Sequence, residues 1–547
     1  MKNIKSNEVA VLVSGPFNEP FDYSVESKKD GVCVGQVVLV PFGKRKNVGI
    51  IVGEGTRTIP KEKLKRIEEI YEINPIPQPS IELINFLANW YCAYKGLVLK
   101  MVLSPVEAIT STEYKKVYKS KFQDSDEIEE INKYKITSKR KLILDFLFKS
   151  KQAVFQEDLI DNTGVSKSIL KDMTKKNLIV EELVKKQAYS NLKVPNYNKI
   201  KFEINKLLNS EQKNAVEKIN VSIKKKKPDC FLLDGVPGSG KTETYFQTVK
   251  TCLDEGKQIL ILLPEISLTP DWEKRFYQTF SFAPLVWHSG ITKTKKKQIW
   301  LSALNSSAGV IVGARSALML PILNLGLIIV DEEHDPAFKQ EEGVRYNARD
   351  MAIYKAIRSS VPIVLASATP SLETYYNMKI GKYIHLTLPK RATGAALPDI
   401  KLIDLKANTP ERGKWISSVL TNEIKSKLDN REQSLLFLNR RGYAPLTICN
   451  SCGNKIKCVN CETWLVEHRS QNTLVCHHCG YTKRISNTCD ICGAEGQIKA
   501  CGPGVERIEE EINQLFPEAK LTVLSSDTMK SQKTLVKTLE KIKNNKV

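Results

Sequence analysis

The sequence predicts an α/β protein built on parallel sheets. It adds a small β domain at the N-terminus, a winged-helix-like domain after it, and a two-zinc cysteine module inserted late in the chain. Three observations carry this. Between 210 and 390, short apolar runs alternate with helical segments: Cys230–Asp234, Ile259–Leu263, Val310–Gly313, Leu327–Asp331 and Ile363–Ala366. Strands that apolar are buried on both faces, as in a parallel sheet covered by helices. The first of these runs leads into Gly235-Val236-Pro237-Gly238-Ser239-Gly240-Lys241-Thr242, a phosphate loop in its proper strand-to-helix setting. Eight cysteines then fall into four Cys-x-x-Cys pairs.

A chain of 547 residues is too long for one core, so three to five domains are expected. The net charge of +22 and a pI near 9.2 favour a polyanionic partner, nucleic acid before an anionic membrane surface. No stretch approaches the roughly 20 apolar residues of a spanning helix, and the start lacks the long apolar region of a signal peptide. A cytoplasmic, reducing compartment is therefore expected, where Cys-x-x-Cys pairs bind metal or do redox chemistry rather than form structural disulfides. Cys33, Cys92, Cys230, Cys252 and Cys501 lie outside the pairs.

The domains are expected at 1–105 (β domain), 106–195 (winged-helix-like), 205–395 (first α/β lobe), 396–448 with 500–547 (part of a second lobe) and 449–499 (zinc module). Val9–Val13, Gly35–Val40 and Val48–Val52 have β character, and a helix is expected over 80–94 behind a Pro-rich connector. Helical spacing at Leu142, Ile143, Phe146 and Leu147, then a turn at Asn162-Thr163-Gly164, fits either a helix-turn-helix or a small helical packing domain. Ser434–Asn439 and Leu521–Leu524 are expected strands of the second lobe.

In the phosphate loop the glycines bring backbone N–H groups around phosphates. Lys241 should reach the β- and γ-phosphates of ATP, and the Thr242 hydroxyl should bind Mg²⁺. Asp331-Glu332 ends an apolar strand as an acidic box should, with Asp331 on Mg²⁺ and Glu332 polarising the attacking water. These residues resemble superfamily-2 helicases of the Asp-Glu-x-His class, whose lobes are RecA-like. Leu263–Thr269, Gly313–Ser316, Ser367–Pro370 and Glu211-Gln212 match further helicase blocks in order. The resemblance implies that the segment ending at Thr269 grips single-strand phosphates, that Arg315 and Thr369 take part in coupling, and that Gln212 lies on the adenine side.

The cysteine pairs are separated by 5, 14 and 9 residues. Four thiolates hold one Zn²⁺ tetrahedrally, so eight make two closed structural sites. The short first loop makes a shared ion awkward for the first two pairs. A nested arrangement is expected: Cys449, Cys452, Cys489 and Cys492 on one ion, and Cys458, Cys461, Cys476 and Cys479 on the other. His477 and His478 are competing donors, and a redox role is the minor alternative. Trp464 and the local Lys/Arg suit either DNA contact or a small core.

Asp331–Asp335 running into Phe338–Asp350, Leu436–Tyr443 before the cysteines and Gly502–Arg507 after them resemble the PriA family of primosomal replication-restart helicases along essentially the whole chain. The resemblance implies an ATP-dependent 3′→5′ helicase acting on forked and single-stranded DNA. It implies as partners the primosome proteins, single-strand-binding protein and the replicative helicase loading machinery. Phe338, Arg345, Tyr346 and Arg349 would belong to an aromatic-rich loop linking DNA binding to ATP hydrolysis. Phe21, Asp22, Tyr23, Gly43 and Lys65 would form a pocket for a nascent 3′ end, Asp22 accepting from the terminal 3′-OH and Phe21 or Tyr23 stacking the base. By composition alone Phe21 and Tyr23 are equally core residues of the β domain. The chain stops at Val547, before the further helicase blocks that the resemblance implies. A product that binds ATP and DNA but hydrolyses and unwinds poorly is therefore expected. An ATP-regulated assembly platform that does not unwind, and a duplex translocase, are the alternative functions.

Overall fold

The computed structural model describes residues 3–4, 6–25, 32–56, 60–104, 114–121, 137–150, 153–185, 208–264, 270–391, 398–411, 414–438, 446–449, 451–461, 463–468, 473–501, 505–524 and 532–547. The chain forms two compact units, residues 1–395 and 396–547.

Near its start, after a short strand at Asn3–Ile4 that pairs with Val32–Cys33, the first unit holds β1 (Glu8–Val13), β2 (Phe21–Ser24), β3 (Val37–Phe42), β4 (Arg45–Glu54) and β5 (Glu69–Ile70). They make an antiparallel sheet in the order β2-β1-β4-β3-β5. Helix α1 (Gln78–Trp90) carries Pro79 in its first turn, where a missing N–H costs nothing. It ends short of the expected residue 94 because Cys92 turns the backbone left-handed, at φ +51°, and α2 (Lys95–Val102) follows. Ile81, Ile84, Leu87, Val98 and Leu99 share one core with Trp300, Leu318 and Met351 of the α/β lobe. The Trp300 indole donates to the Val102 carbonyl at 2.8 Å, and the Asn347 N–H donates to the Tyr91 hydroxyl at 3.0 Å. The β domain is thereby anchored to the lobe through its two helices.

Residues 114–185 hold β6 (Tyr114–Ser120), α3 (Ser138–Ser150), β7 (Val154–Phe155), α4 (Gln156–Thr163), α5 (Lys167–Lys175) and β8 (Ile179–Lys185), with sheet order β8-β6-β7. Gly164, at φ +64°, closes α4 and turns the chain into α5. Leu170 and Met173 of α5 face a core that includes Ile143, Leu147 and Leu159.

The lobe follows: α6 (Ser210–Lys225), β9 (Cys230–Gly235), α7 (Lys241–Asp254), β10 (Gln258–Leu262), α8 (Pro270–Phe280), β11 (Leu285–Trp287), α9 (Lys293–Leu304), β12 (Val310–Gly313), β13 (Leu325–Asp331), β14 (Lys339–Gln340), β15 (Tyr346–Asn347), α10 (Ala348–Arg358), β16 (Ile363–Ser367), α11 (Leu372–Lys379) and β17 (Ile384–Leu388). Seven strands form one parallel sheet, β11-β12-β10-β13-β16-β9-β17, with β13 central. The five expected strands are its interior. Of the two edges, β11 is only three residues long and β17 is interrupted by His385 and Thr387, so neither stood out.

In the second unit α12 (Ser418–Asp429) and α13 (Val505–Leu515) pack Ile424 against Ile508 and Ile512. The Glu511 carboxylate pins the chain by accepting from the Trp415 and Ile416 amides at 2.9–3.2 Å. The strands expected at 434–439 and 521–524 are a correction: residues 434–438 and 521–524 carry no strand. Leu436 and Leu438 still pack on the small core while Leu435 and Phe437 are exposed. The alternation that suggested a strand is real, but a strand needs a ladder of backbone bonds, and among the described residues none forms there. The cysteine-rich part contributes β18 (Leu446–Cys449), β19 (Val466–His468), β20 (Thr473–Val475), β21 (Thr482–Arg484) and β22 (Ile498–Cys501), in sheets β18-β22 and β19-β20-β21.

Lys355 of α10 is fully buried and donates to the Leu318 and Leu320 carbonyls, both at 2.7 Å. Burial pushes its ammonium down to about 7. An unfolded lysine titrates near about 10.4, so between these values the unfolded chain holds more protons and stability rises with pH. The parent should therefore gain stability over Lys355→Met as pH rises from about 7 to about 10. Denaturant midpoints of the two chains measure this; a pH-independent difference would refute it.

Candidate nucleotide site, metal centres and DNA-binding surface

The nucleotide site starts at the N-terminus of α6. Asn209 and Gln212 cap that helix reciprocally: the Gln212 amide N–H donates to Asn209 Oδ1 at 2.8 Å, and Asn209 N–H donates to Gln212 Oε1 at 2.9 Å. The Gln212 Nε2 then donates to the Ser239 carbonyl at 2.8 Å, tying this segment to the phosphate loop. Gly238 and Gly240 have φ of +79° and +83°, a backbone that side chains resist. Lys241 Nζ lies inside the loop, 2.9 Å from the Gly235 carbonyl that accepts from it. The Ser239 hydroxyl is buried and, among the described residues, has no hydrogen-bond partner, the kind of group a phosphate oxygen satisfies. Together with the N-terminus of α7, these groups fit a nucleotide phosphate.

The acidic box lies at the end of β13, and each of its four side chains meets a different environment. Asp331 is buried and accepts from the Tyr245 hydroxyl at 2.9 Å and from the Glu332 N–H at 3.0 Å. Burial pushes its carboxyl up to about 6. Glu332 sits at φ +49°, a left-handed conformation costing a non-glycine residue on the order of 1 kcal/mol, which turns it out of the strand direction. Glu333 is completely enclosed. It accepts from Arg349 Nη1 (3.1 Å), Ser371 N (2.7 Å), Ser371 Oγ (3.1 Å) and Thr374 Oγ1 (2.8 Å). His334 Nδ1 lies 2.8 Å from Ser367 Oγ, which also accepts from the Thr369 N–H at 3.0 Å. The acidic box, the Ser367–Pro370 block and α10 are thus one hydrogen-bonded body.

That body places the expected coupling residues. Arg349 is not a surface cation: it is buried against Glu333 and Asp350. Phe338 and Tyr346 are also buried, so any part they take in coupling runs through packing and not through a stacked base. Arg345 is exposed, its Nε donating to the Glu341 carbonyl. Arg315 Nη1 donates to the Ala337 and Lys339 carbonyls at 3.2 and 3.0 Å, holding the loop before β14. Thr269, Asn439–Tyr443 and Gly502–Gly504 lie outside the described residues.

At the N-terminus Phe21 packs edge-on against Phe17 (5.4 Å) and Phe42 (5.1 Å) and stays partly exposed. Tyr23 is a correction. It is buried, with its hydroxyl donating to the Pro41 carbonyl at 3.2 Å, and so belongs to the β-domain core. Alternation along β2 sends residues 21 and 23 to the same face, but only Phe21 lies near its rim. Asp22 accepts from the Thr56 N–H at 3.0–3.1 Å and from its hydroxyl at 2.5 Å. Two carboxylate oxygens offer about four acceptor positions, so capacity remains. Gly43 opens a turn at φ +60° with free space beside it, and Lys65 is exposed.

The eight cysteines converge in two sets, Cys449/Cys452/Cys489/Cys492 and Cys458/Cys461/Cys476/Cys479, with sulfurs within 4.8 Å of one another in each. This is the nested grouping. Three of the pairs turn through a following glycine, Gly453, Gly480 or Gly493, at φ +67° to +76°. In each, the glycine N–H donates to the carbonyl of the pair's first cysteine at 2.8–2.9 Å. The backbone N–H groups of Cys479 and His478 hold the Cys476 thiol down to about 6, and those of Cys492 and Ile491 do the same for Cys489. Amides that favour thiolate and four sulfurs to a cluster fit tetrahedral structural zinc. Trp464 lies under Lys455 and Lys457, their Nζ atoms 5.3 and 5.2 Å from the ring.

Sequence reasoning missed Tyr245, Trp272 and the Glu333 hub. Tyr245 stands three residues after Thr242, one turn along the same helix face, which was a legible signal. Trp272, distant in sequence, carried none.

A parallel seven-stranded sheet with a phosphate loop and an Asp-Glu-x-His box at its strand ends defines a helicase ATP-binding lobe. Accordingly, residues 209–378 match a family model for the DEAD/DEAH box helicase. Residues 9–104 match the PriA 3′DNA-binding domain, and residues 458–484 the PriA DNA helicase Cys-rich region domain. The replication restart protein PriA of Haemophilus influenzae is 35% identical over 542 residues, covering 98% of this chain and 73% of the relative. That of Bacillus subtilis is 30% identical, covering 95% and 72%. The Rickettsia felis protein is 46% identical over 337 residues, covering 62% of this chain, so the match spans about half (51%) of that relative. The chain belongs to the PriA replication restart family. Among the described residues no helix is long and apolar enough to cross a membrane.

Glu333→Ala would strand a buried Arg349. It should lower the unfolding free energy of the first unit by about 3–5 kcal/mol in denaturant titration, where a loss under about 1 kcal/mol would contradict the hub. Cys461→Ser should release about one zinc per chain in metal analysis while the other four-cysteine cluster keeps its ion; loss of all zinc would argue against two independent centres.

Proposed function

We propose that this chain carries the DNA-recognition and ATP-binding parts of a 3′→5′ DNA helicase that engages stalled forks and begins primosome assembly for replication restart. The observation that carries the reading is mechanical: the 3′-DNA-binding domain and the ATP lobe share one core through α1 and α2. A nucleic-acid end held by the first is thereby rigidly related to the nucleotide site in the second. The strongly basic chain supports a polyanionic partner.

In this reading the loop amides and Lys241 bind the ATP phosphates, Thr242 and Asp331 hold the Mg²⁺, and Glu332 orients and deprotonates the attacking water. Mg²⁺ bound with ATP neutralises charge on the phosphates. Asp22 accepts a hydrogen bond from a terminal 3′-OH, Phe21 stacks the last base, and Lys65 meets backbone phosphate. Thr269, Arg315, Arg345 and Thr369 relay DNA contact to the nucleotide side, with Arg349, Phe338 and Tyr346 as the packed link. Two Zn²⁺ fold the cysteine module. The partners are primosome proteins, single-strand-binding protein and the replicative helicase loader, in the cytoplasm.

The test is ATP hydrolysis stimulated by a fork bearing a 3′-OH leading end, against the same fork with that end blocked. Stimulation should fall on blocking, and Lys241→Ala should abolish it. Phe21→Ala should weaken fork binding by about 1–3 kcal/mol, roughly 5- to 150-fold, while sparing ATP affinity. Equal response to open and blocked ends would sink the end-recognition part. Absence of nucleotide binding would sink the motor.

A further inference from the structure

Tyr245 is fully buried on α7 and is placed unusually for a core aromatic. Its hydroxyl donates to Asp331 Oδ2 at 2.9 Å and accepts from the Trp272 indole N–H at 3.1 Å. Thr242 lies one helical turn earlier on the same face of α7. One hydroxyl therefore binds the Asp331 side chain and stands a turn from Thr242, the two groups assigned above to Mg²⁺.

The direction of this chain is fixed by chemistry. An indole N–H only donates and a carboxylate only accepts, so Trp272 donates to the phenol oxygen and the phenol hydrogen points at Asp331. Among the described hydrogen bonds, the only other donor to the Asp331 carboxylate is the Glu332 N–H, on Oδ1. Without the phenol, Oδ2 loses the hydrogen bond that sets its side of the carboxylate. The aromatic packing of Tyr245 on Phe246, and of Phe246 on Trp272, holds the donors in place independently of the hydrogen bonds.

We infer that Tyr245, itself oriented by Trp272, is a positioning residue that holds the Asp331 carboxylate, with Thr242 beside it, in the geometry that binds Mg²⁺ with the nucleotide. This rests on the ATP-site reading above. It assigns to α8, which carries Trp272, a direct hydrogen-bonded line to the metal ligand.

The experiment measures binding of a non-hydrolysable fluorescent ATP analogue by the full chain over a Mg²⁺ titration and in chelator. Tyr245→Phe removes one oxygen and keeps the ring. Its affinity in chelator should stay within about twofold of the parent, while the Mg²⁺ needed for half-maximal binding rises about tenfold, as when an outer partner of a metal ligand is removed. Trp272→Phe should shift the Mg²⁺ requirement the same way by a smaller factor. An unchanged Mg²⁺ requirement in Tyr245→Phe overturns the proposal. So does an equal loss of affinity with and without Mg²⁺ alongside a lowered melting temperature, since that marks a packing role alone. If Tyr245→Phe does not fold, Trp272→Phe decides by the same criterion. A parent that binds the analogue with no Mg²⁺ dependence removes the ATP-site reading itself, and this proposal with it.

Discussion

The enclosed carboxylate of Glu333 is the interaction on which the lobe's working parts depend. It lies at the end of the central strand of the parallel sheet and takes four hydrogen bonds, from Arg349, Ser371 and Thr374. Burying a charge so completely is tolerable only when every acceptor position is used. The Ser367–Ser371 turn and α10 are therefore held against the acidic box whether or not anything is bound. His334 repeats the link on the neighbouring side through Ser367. Asp331 and Glu332, between the loop and this hub, inherit a fixed backbone, and the left-handed turn at Glu332 is sustained by it.

The same rigidity extends toward the N-terminus. Lys355, on the helix that begins with Arg349's turn, clamps α10 to the Leu318–Leu320 carbonyls, and α1 packs on α10's outer side. The elements from the aromatic rim at Phe21 to the phosphate loop belong to adjoining cores rather than to loosely tethered modules. The cysteine module solves stability differently. Its apolar core is little more than Leu465 and Leu474 with the buried cysteines, too small to hold a fold without metal.

Much of the candidate site was legible because its chemistry depends on local spacing. The phosphate loop needs its glycines and Lys241 in consecutive order, and a Cys-x-x-Cys turn brings two sulfurs together by backbone geometry alone. Even the nested grouping followed from loop lengths. The reading failed where side-chain type is ambiguous. An aromatic in a β domain suits core and stacking equally, and only the Tyr23 hydroxyl reaching Pro41 separated it from Phe21. An arginine in a loop that resembles a DNA-coupling segment reads as a surface cation until its carboxylate is found 16 residues away in Glu333.

What the sequence determined by itself was the order of elements, the apolar runs that force a parallel sheet, and the residues whose chemistry is set by near neighbours. What the tertiary structure alone decided was which groups share a proton or a charge across the fold. Tyr245 and Trp272 meet over Asp331, Glu333 gathers Arg349, Ser371 and Thr374, and α1 lies on α10. The physical reason is that hydrogen bonds and close packing depend on distances of a few ångströms between segments far apart in the chain. Hydrophobic periodicity fixes the face of each element but not which partner that face will meet.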